Sequence, residues 1–218
     1  MNLAIFDLDN TLIAGDSDCL WGEFLIEIGK VDADSYRSGH EKYYQDYLEG
    51  NLDIREFLAF QLRPLAENDF NELQRWRQQY IEHKIRPIIL DQARELVENH
   101  RQRQDELLII TATNRFLTEP IAAIFGIDHL IACEPEIIKQ QYTGNVTGTP
   151  SYAGGKVTRL NEWLDQQDRQ FDETWFYSDS HNDLPLLRLV DHPVAVDPDE
   201  TLMAEARKAD WEIISLRE

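Results

Sequence analysis

Short apolar runs alternate along the chain with longer stretches in which apolar residues recur every three or four positions. The first run, NLAIFD at residues 2–7, is nearly unbroken, which is typical of a strand buried on both faces. Similar runs predict strands at residues 106–113, 129–133 and 173–179, in HPVAVD and in WEIISL. The segment EIIKQQYTGNV at 136–146 predicts a hairpin.

Helical periodicity fills the long stretch between the first two strands. Apolar positions recur at i, i+4 and i+8 from Leu20 to Ile28, with Asp16 or Ser17 as the helix cap and Gly29 as its end. Three more helices are predicted, at about 34–49, at 53–62 with an end before Pro64, and from Asn68 to Ile85. Four helices joined by short loops are typical of a small bundle.

Strands and helices alternate beyond residue 86. The helices are predicted at 89–103, at 115–125 with an end at Gly126, from residue 155, and at 199–208. This alternation favours an α/β fold with a mostly parallel sheet. We expect a core domain formed by residues 1–14 and 86–218 and a helical cap domain formed by residues 15–85. An insert in this place can act as a lid, and a purely structural appendage is the alternative.

The composition of the 218-residue chain is that of a globular protein, with 42% hydrophobic residues. No apolar run is long enough to span a membrane, and the N-terminus lacks the basic region of a signal peptide. Cys19 and Cys133 are the only cysteines, which excludes a disulfide framework and a cysteine-based structural zinc site. We therefore expect a cytoplasmic protein in a reducing compartment.

Acidic residues outnumber basic residues by 41 to 21, which gives the chain a formal net charge of −20. Such a surface repels phosphate backbones, so we expect no nucleic-acid partner. It also repels a small anionic substrate unless the binding site supplies a cation. Solubility alone is the simpler explanation of the charge.

Reactive side chains follow three of the predicted strands. They are Asp7 and Asp9, then Thr111 and Thr113, and finally Asp179. Ligands of open α/β sheets bind outside the carboxyl ends of the strands, so we expect these side chains to lie together. Clustered carboxylates repel one another unless a cation separates them. Mg²⁺ is the expected cation because it prefers oxygen ligands and phosphate, and Mn²⁺ accepts a similar set.

The motifs at these positions resemble those of the haloacid dehalogenase superfamily of phosphotransferases. DLDNT at residues 7–11 is similar to the family's DxDxT signature, and Thr111 and Lys156, in GGKVTRL, follow in the family's order. SDSHNDLPLL, with Asp179 and Asp183, is similar to the family's GDxxxD ending, with Ser178 in place of the glycine. The resemblance implies a Rossmann-like three-layer core and a Mg²⁺-dependent phosphomonoester hydrolase.

By this resemblance, Asp7 is the nucleophile that forms an aspartyl-phosphate. Asp9 protonates the leaving oxygen and then deprotonates the attacking water. The carboxylates of Asp7 and Asp179 and the backbone carbonyl of Asp9 hold Mg²⁺.

The resemblance implies supporting roles for three more residues. Thr111 donates a hydrogen bond to the phosphoryl oxygens, and Lys156 offsets the charge of the phosphate and the nucleophile. Asp183 acts through a metal-bound water or orients Lys156.

The helical insert resembles the C1-type cap of subfamily I, and the whole chain resembles its IB branch, which includes the phosphoserine phosphatases. These enzymes usually place a glutamate nine residues after the nucleophile, where this chain has Asp16. They also bind the serine carboxylate with arginine, whereas IREFLAFQLRPL has Ala59 and Gln61 at the corresponding positions. Arg55 and Arg63 lie nearby but are displaced, which argues against phosphoserine.

The stretches AIFDLDNTLIAGDSD, IITATNRF and YSDSHNDLPLL resemble the IB-type histidinol-phosphate phosphatases. That resemblance implies a function in histidine biosynthesis, on a substrate that has an amine and an imidazole but no carboxylate. Asp16 and Asp18 would face the amine, and Trp21 or a cap tyrosine would stack on the imidazole. Asn114 and Asn182 are further candidates for substrate binding.

Three other functions are open at this stage. They are a phosphoserine phosphatase, a phosphotransferase with a second substrate, and an inactive phosphate-sensing protein that has kept the fold. A receiver-type signalling domain is disfavoured because its phosphorylated aspartate lies on a later strand than its acidic pair. The expected partner is a small phosphorylated metabolite, without nucleic acid or membrane, and the chain is expected to be a monomer or a homodimer.

Overall fold

The computed structural model describes residues 1–217, whose strands form one mixed sheet. The strands are β1 (Leu3–Phe6), β2 (Glu106–Asn114), β3 (His129–Ile138), β4 (Gln141–Thr147), β5 (Thr174–Ser178), β6 (His192–Val196) and β7 (Glu212–Ile214). Their order is β4-β3-β2-β1-β5-β6-β7, and β3 and β4 pair antiparallel while all other neighbours pair parallel. The α/β fold with a mostly parallel sheet is therefore confirmed.

Four α-helices lie within residues 15–85, as predicted. They are α1 (Ser17–Glu27), α2 (Ala33–Leu48), α3 (Ile54–Ala66) and α4 (Phe70–Tyr80). Each begins after an aspartate whose side chain accepts a hydrogen bond from a backbone N–H of the first turn, namely Asp16, Asp32, Asp53 and Asp69. The first of these helices is therefore capped by Asp16 rather than by Ser17.

The remaining helices cover the two faces of the sheet. They are α5 (Asp91–Gln102), α6 (Arg115–Phe125), α7 (Gly154–Leu164), the short α8 (Leu184–Leu187) and α9 (Glu200–Ala209). Helix α6 ends as predicted at Gly126, whose φ of 64° is the left-handed conformation that glycine adopts at low cost. No helix within residues 1–217 combines the length and the apolar character needed to cross a membrane.

Three predicted boundaries are wrong. Helix α3 continues through Pro64 to Ala66, because Leu62 and Leu65 are buried and the Asn68 side chain donates to the Pro64 carbonyl at 2.8 Å. The regular part of α4 ends at Tyr80 and is followed by a π-helical turn, Ile81–Ile85. Strand β3 extends to Ile138 because its second half pairs with β4.

Alternate residues of the central strands face two different apolar layers. One apolar layer lies between the sheet and helices α7, α8 and α9, and these helices form the third layer of the core. The strand residues that face it are Leu3, Ile5, Leu108 and Ile110. Ala4, Phe6 and Ile109 face the opposite layer, which continues without interruption into α1, α3 and α4 through Trp21, Leu58 and Leu73. The division into a core domain and a cap domain stays a prediction, since both contribute to this one apolar cluster.

Candidate active site

A cavity of about 640 Å³ lies at the carboxyl ends of the parallel strands. Phe6 of β1 pairs with Ile109 of β2 and with Tyr177 of β5, so Thr111 and Asp179 emerge beside the residues that follow β1. The lining from this side comprises Asp7, Asp9, Asn10, Thr111, Thr113, Lys156, Asp179 and Asp183. The sheet topology alone therefore brings the strand-end residues together.

Lys156 lies at the centre of these carboxylates. Its Nζ donates to Asp7 Oδ1 and to Asp183 Oδ2, each at 2.7 Å, and all three side chains are buried. Gly155 permits this placement, because a Cβ there would lie 2.1 Å from the Pro150 carbonyl oxygen. Of the two contacts expected for Asp183, a metal-bound water or Lys156, the structure contains the hydrogen bond with Lys156.

Burial dominates the electrostatics of the Asp7–Lys156 pair. It raises the pKa of Asp7 to about 7, against the opposing attraction of Lys156, and Asp183 raises it further. Burial alone would lower the pKa of Lys156, but Asp183 and Asp7 outweigh it and hold the pKa above its ordinary value. Lys156 is therefore a permanent cation beside the nucleophile expected from the sequence.

Thr11 connects Asp7 with Asp179. Its Oγ1 lies 3.5 Å from Asp7 Oδ2 and 3.3 Å from Asp179 Oδ1, and it accepts a hydrogen bond from the Asp179 N–H at 3.1 Å. Burial, followed by repulsion from Asp7 and Asp183, raises the pKa of Asp179 well above its usual range. A cation is strongly favoured beside two neighbouring carboxylates whose pKa values are raised in this way.

Asp9 is held by the first turn of α1 and by β2. Its Oδ1 accepts from the Ser17 N–H at 2.7 Å, and its Oδ2 accepts from Thr113 Oγ1 at 2.9 Å. Burial, followed by repulsion from Asp16, raises its pKa to about 6. A carboxyl group with this pKa can both give and take a proton near neutral pH.

A second pair of acids, the half-buried Asp16 and the buried Asp18, lines the cavity beside Asp9. Their hydrogen-bond donors are neutral: the Cys19 N–H for Asp16, and Thr113 Oγ1 and Asn114 Nδ2 for Asp18. Burial raises the pKa of both groups. This end of the cavity is therefore suited to a ligand group that carries a positive charge.

One face of α2 forms the opposite wall. Its lining residues are His40, Glu41, Tyr43, Tyr44, Tyr47 and Leu48, and Leu52, Ile54 and Phe57 continue the wall. The Tyr47 carbonyl also accepts from Asn182 Nδ2 at 3.3 Å, and Asn182 Oδ1 accepts from the Tyr152 hydroxyl at 3.0 Å. The aromatic wall is thus linked to the loop that carries Asp179 and Asp183.

The structure brings most of the predicted site residues to this cavity but not all of them. Trp21 is 1% exposed, with its ring packed against Phe24, Tyr80 and Phe116, and it does not line the cavity. Asn114 is also buried, where it caps α6 and donates to Asp18. Trp21 therefore belongs to the apolar core. Asn114 contacts Asp18, which lines the cavity, but does not line the cavity itself.

Several residues at this cavity lie outside the predicted site. The sequence marks Thr113 only as a strand-end hydroxyl, whereas the structure shows it bridging Asp9 and Asp18. The tyrosines of the wall, Tyr43, Tyr44 and Tyr47, agree with the expectation of a cap tyrosine, and their spacing on one helical face is its signal. Asp197, Asp199 and Arg217 also line the cavity, and the one local signal among them is Asp197, which ends the predicted strand HPVAVD.

The oxygen atoms available beside Asp7 match the preferences of Mg²⁺. The carboxylates of Asp7 and Asp179 and the Asp9 carbonyl belong to adjacent loops, and the single buried ammonium of Lys156 does not balance the nearby acids. Across residues 1–217, no group of three or more histidine, cysteine, aspartate or glutamate side chains is arranged to hold a metal by itself. Mg²⁺ commonly completes its coordination with water and substrate phosphate, so these residues fit it.

Comparison with known proteins gives consistent matches. A family model described as haloacid dehalogenase-like hydrolase matches residues 4–188. A histidinol-phosphatase from Neisseria meningitidis serogroup C (strain 8013) is 46% identical over 220 aligned residues, which cover 99% of each chain.

Two solved structures are similar over nearly the whole chain. A protein of unknown function from Bordetella pertussis Tohama I superimposes with a TM-score of 0.93 at 39% identity, over 99% of this chain and 98% of that one. A phospho-aspartyl intermediate analogue of phosphoserine phosphatase superimposes with a TM-score of 0.70 at 17% identity, over 100% of this chain and 94% of that one. The second match concerns the fold alone.

Proposed function

We propose a substrate and a mechanism for this chain from one premise: it belongs to the haloacid dehalogenase-like hydrolase family and is a phosphomonoester hydrolase. The proposed substrate is histidinol phosphate, which is hydrolysed to histidinol and inorganic phosphate. The observation that carries the proposal is the 46% identity, along the whole chain, to a histidinol-phosphatase. The charges and aromatic rings of the cavity support it independently.

The charge distribution in the cavity favours a substrate that is anionic at one end and cationic at the other. Lys156 lies beside Asp7, where the phosphate would bind, while Asp16 and Asp18 line the cavity beside Asp9. Histidinol phosphate carries an ammonium group for these acids and an imidazole ring for the tyrosines of α2. A substrate of this kind uses both ends of the cavity.

Phosphoserine fits this distribution less well. Its carboxylate would need a cation near Asp16 and Asp18, yet Arg55 and Arg63 are exposed on α3 and do not line the cavity. Gln61, at one of the expected arginine positions, is buried and accepts from the Tyr36 hydroxyl at 2.6 Å. A carboxylate placed beside the half-buried Asp16 and the buried Asp18 would be repelled by them.

The proposed reaction begins with attack by a carboxylate oxygen of Asp7 on the phosphorus atom. The bond between phosphorus and the ester oxygen breaks, and Asp9 gives its proton to that oxygen, so that histidinol leaves as an alcohol. Thr111 and Lys156 stabilise the phosphoryl oxygens by hydrogen bonding and charge. Mg²⁺, bound by Asp7, Asp179 and the Asp9 carbonyl, would supply further neutralisation of the phosphoryl charge.

The second step regenerates the enzyme. Asp9, now a carboxylate, takes a proton from water, and the water oxygen forms the new bond to phosphorus. The bond between Asp7 and phosphorus breaks, and inorganic phosphate leaves. The pKa of Asp9, raised to about 6 by burial and Asp16, suits both proton transfers.

The test is a panel of phosphomonoesters assayed with Mg²⁺. Histidinol phosphate, phosphoserine, sugar phosphates, nucleotides and glycerol phosphates are compared by kcat/KM, with Asp7→Asn as the blank and Asp34→Asn, exposed on α2, as the matched control. We expect histidinol phosphate to exceed every other ester by about tenfold or more, which corresponds to about 1.4 kcal/mol. Preference for phosphoserine would contradict the proposed substrate, and equal rates for wild type and Asp7→Asn would contradict the mechanism.

A further inference from the structure

The segment after β7 returns to the mouth of the cavity. Leu216 is 6% exposed and belongs to the apolar cluster shared by the sheet and the cap helices α1, α3 and α4. Its N–H donates to Asp197 Oδ2 at 3.1 Å, and the Asp197 N–H donates to the Ile214 carbonyl at 3.0 Å. These contacts fix the segment on the loop after β6 and place Arg217 in the cavity lining.

Arg217 contacts the loop that carries Asp7 and Asp9. Its Nη2 donates to the Asn10 carbonyl oxygen at 2.8 Å, and its Nε lies 4.0 Å from Asp197 Oδ2. The Asn10 N–H donates to the Gly15 carbonyl at 3.0 Å. Both backbone polar groups of Asn10 are therefore bound.

Asn10 has an uncommon backbone conformation. Its φ is 57°, in the left-handed region that residues other than glycine adopt at a cost. Such a conformation persists where the surrounding contacts determine it, and the hydrogen bond from Arg217 is one of those contacts. The Asp9 carbonyl and the Asn10 N–H belong to one peptide group, so a change in the φ of Asn10 turns that carbonyl relative to the rest of Asn10.

We propose that Arg217 is a positioning residue for the phosphatase reaction, acting through Asn10 on the Asp9 carbonyl. By holding the Asn10 carbonyl, Arg217 keeps the Asp9 carbonyl directed at the Mg²⁺ position and the Asp9 side chain at its place for proton transfer. This inference rests on the proposed function, which assigns that carbonyl to Mg²⁺. The segment after β7 is then part of the active site.

The test uses the full chain and p-nitrophenyl phosphate, so that it does not depend on the identity of the natural substrate. The variants are Arg217→Ala, Arg217→Lys and the control Arg207→Ala, which removes the same charge from an exposed position on α9. We expect Arg217→Ala to lower kcat about tenfold and to raise the Mg²⁺ concentration for half-maximal rate about fivefold, because small displacements of reacting groups are costly. KM should change less than about threefold, and Arg217→Lys, which can still donate, should recover part of the loss.

A second readout needs no turnover. The unfolding midpoint is measured against Mg²⁺ concentration, and half of the Mg²⁺-dependent rise should need about fivefold more Mg²⁺ in Arg217→Ala than in wild type or Arg207→Ala. Identical behaviour of Arg217→Ala and Arg207→Ala in both readouts would overturn the proposal. The proposal would also be overturned if Arg217→Ala kept the wild-type kcat and lost kcat/KM only at low salt. Arg217 would then act only by attracting the anionic substrate electrostatically. A wild-type protein that hydrolyses no phosphomonoester contradicts the proposed function instead, and the Mg²⁺-dependent midpoint still tests Arg217 in that case.

Discussion

The Tyr47 hydroxyl donates a hydrogen bond to Ser180 Oγ at 2.7 Å and so joins α2 to the loop after β5. Burial raises the pKa of Tyr47 well above its ordinary value, and the carboxylates of Asp179 and Asp183 raise it further, so the hydroxyl keeps its proton. Ser180 lies between those two carboxylates in the sequence. The contact therefore connects the aromatic wall of the cavity to the acids beside Lys156.

Tyr47→Phe should weaken the contact between α2 and the loop after β5 without disturbing the residues at the floor of the cavity. The variant loses one hydrogen bond worth about 1 kcal/mol, so we expect kcat/KM for histidinol phosphate to fall about fivefold. Tyr44→Phe is the matched control, because Tyr44 is 45% exposed at the rim of the same wall. The measurement is the steady-state kinetics of both variants. Equal effects of the two substitutions on kcat/KM would show that the Tyr47–Ser180 contact does not contribute to catalysis.

Removing Lys156 should affect activity and stability together. Lys156→Met leaves Asp7 and Asp183 buried without their cation, and we expect a loss of about 3 to 5 kcal/mol in the free energy of unfolding at pH 7.5. The rate should fall by about 100-fold or more, as for loss of one preorganised donor to a transferring group. Lys84→Met is the comparison, because it breaks a pair with the exposed Glu27 and should cost less than about 1 kcal/mol. Urea unfolding separates the two cases, and similar losses in both variants would contradict the argument.

The metal-free protein should lose stability as the pH rises from about 4 to about 7. Burial raises the pKa of Asp7 from 3.8 to about 7; the charge of Lys156 lowers this pKa and that of Asp183 raises it. Burial, followed by the charge of Asp16, raises the pKa of Asp9 from 3.8 to about 6. In this pH range the folded state therefore binds more protons than the unfolded state, and the free energy of unfolding decreases with pH. The stabilisation at low pH is lost as each carboxyl ionises.

Unfolding by urea in EDTA, followed from pH 5 to pH 8, tests this sign. We expect a decrease on the order of a few kcal/mol in wild type and a shallower decrease in Asp7→Asn, which lacks the most strongly shifted of these two carboxyls. Mg²⁺ should stabilise the protein more at pH 8 than at pH 5, because its ligands must be ionised. A wild-type stability that rises over this range, with Asp7→Asn parallel to it, would contradict the assignment.

The floor of the cavity could be predicted from the sequence because strand ends determine it. Asp7, Thr111 and Asp179 each follow or end an apolar run. Because parallel strands in register end at the same edge of the sheet, these residues lie together there. Lys156 is predicted through the resemblance of GGKVTRL to the family's motif, and Gly155 in that stretch makes a close backbone approach. These signals are local, so one sequence is enough to see them.

The wall of the cavity could not be predicted in the same way. Trp21 and Tyr47 both lie on apolar stripes of amphipathic helices, and periodicity does not say whether a stripe faces the core or a ligand. The tertiary packing of α1 against α4 and α6 buries Trp21, whereas α2 leaves its tyrosines at the cavity. Arg217 reaches Asn10 across 207 positions of the chain, a contact that no local pattern encodes.

Asp18→Asn should make the protein more stable and less selective. Burial, followed by the charges of Asp16 and Asp9, raises the pKa of Asp18 well above its ordinary value, because the folded state disfavours a charged carboxylate there. A neutral amide at this position removes that electrostatic penalty from the free energy of folding. The same change removes the charge proposed to bind the substrate ammonium, and the ratio of kcat/KM for histidinol phosphate to that for p-nitrophenyl phosphate should fall about tenfold or more. Asp128→Asn, at an exposed position before β3, is the control for both measurements. A variant that gains stability but keeps the wild-type ratio would mean that Asp18 does not contact the substrate, and a variant that loses both would mean that its carboxylate is needed for folding.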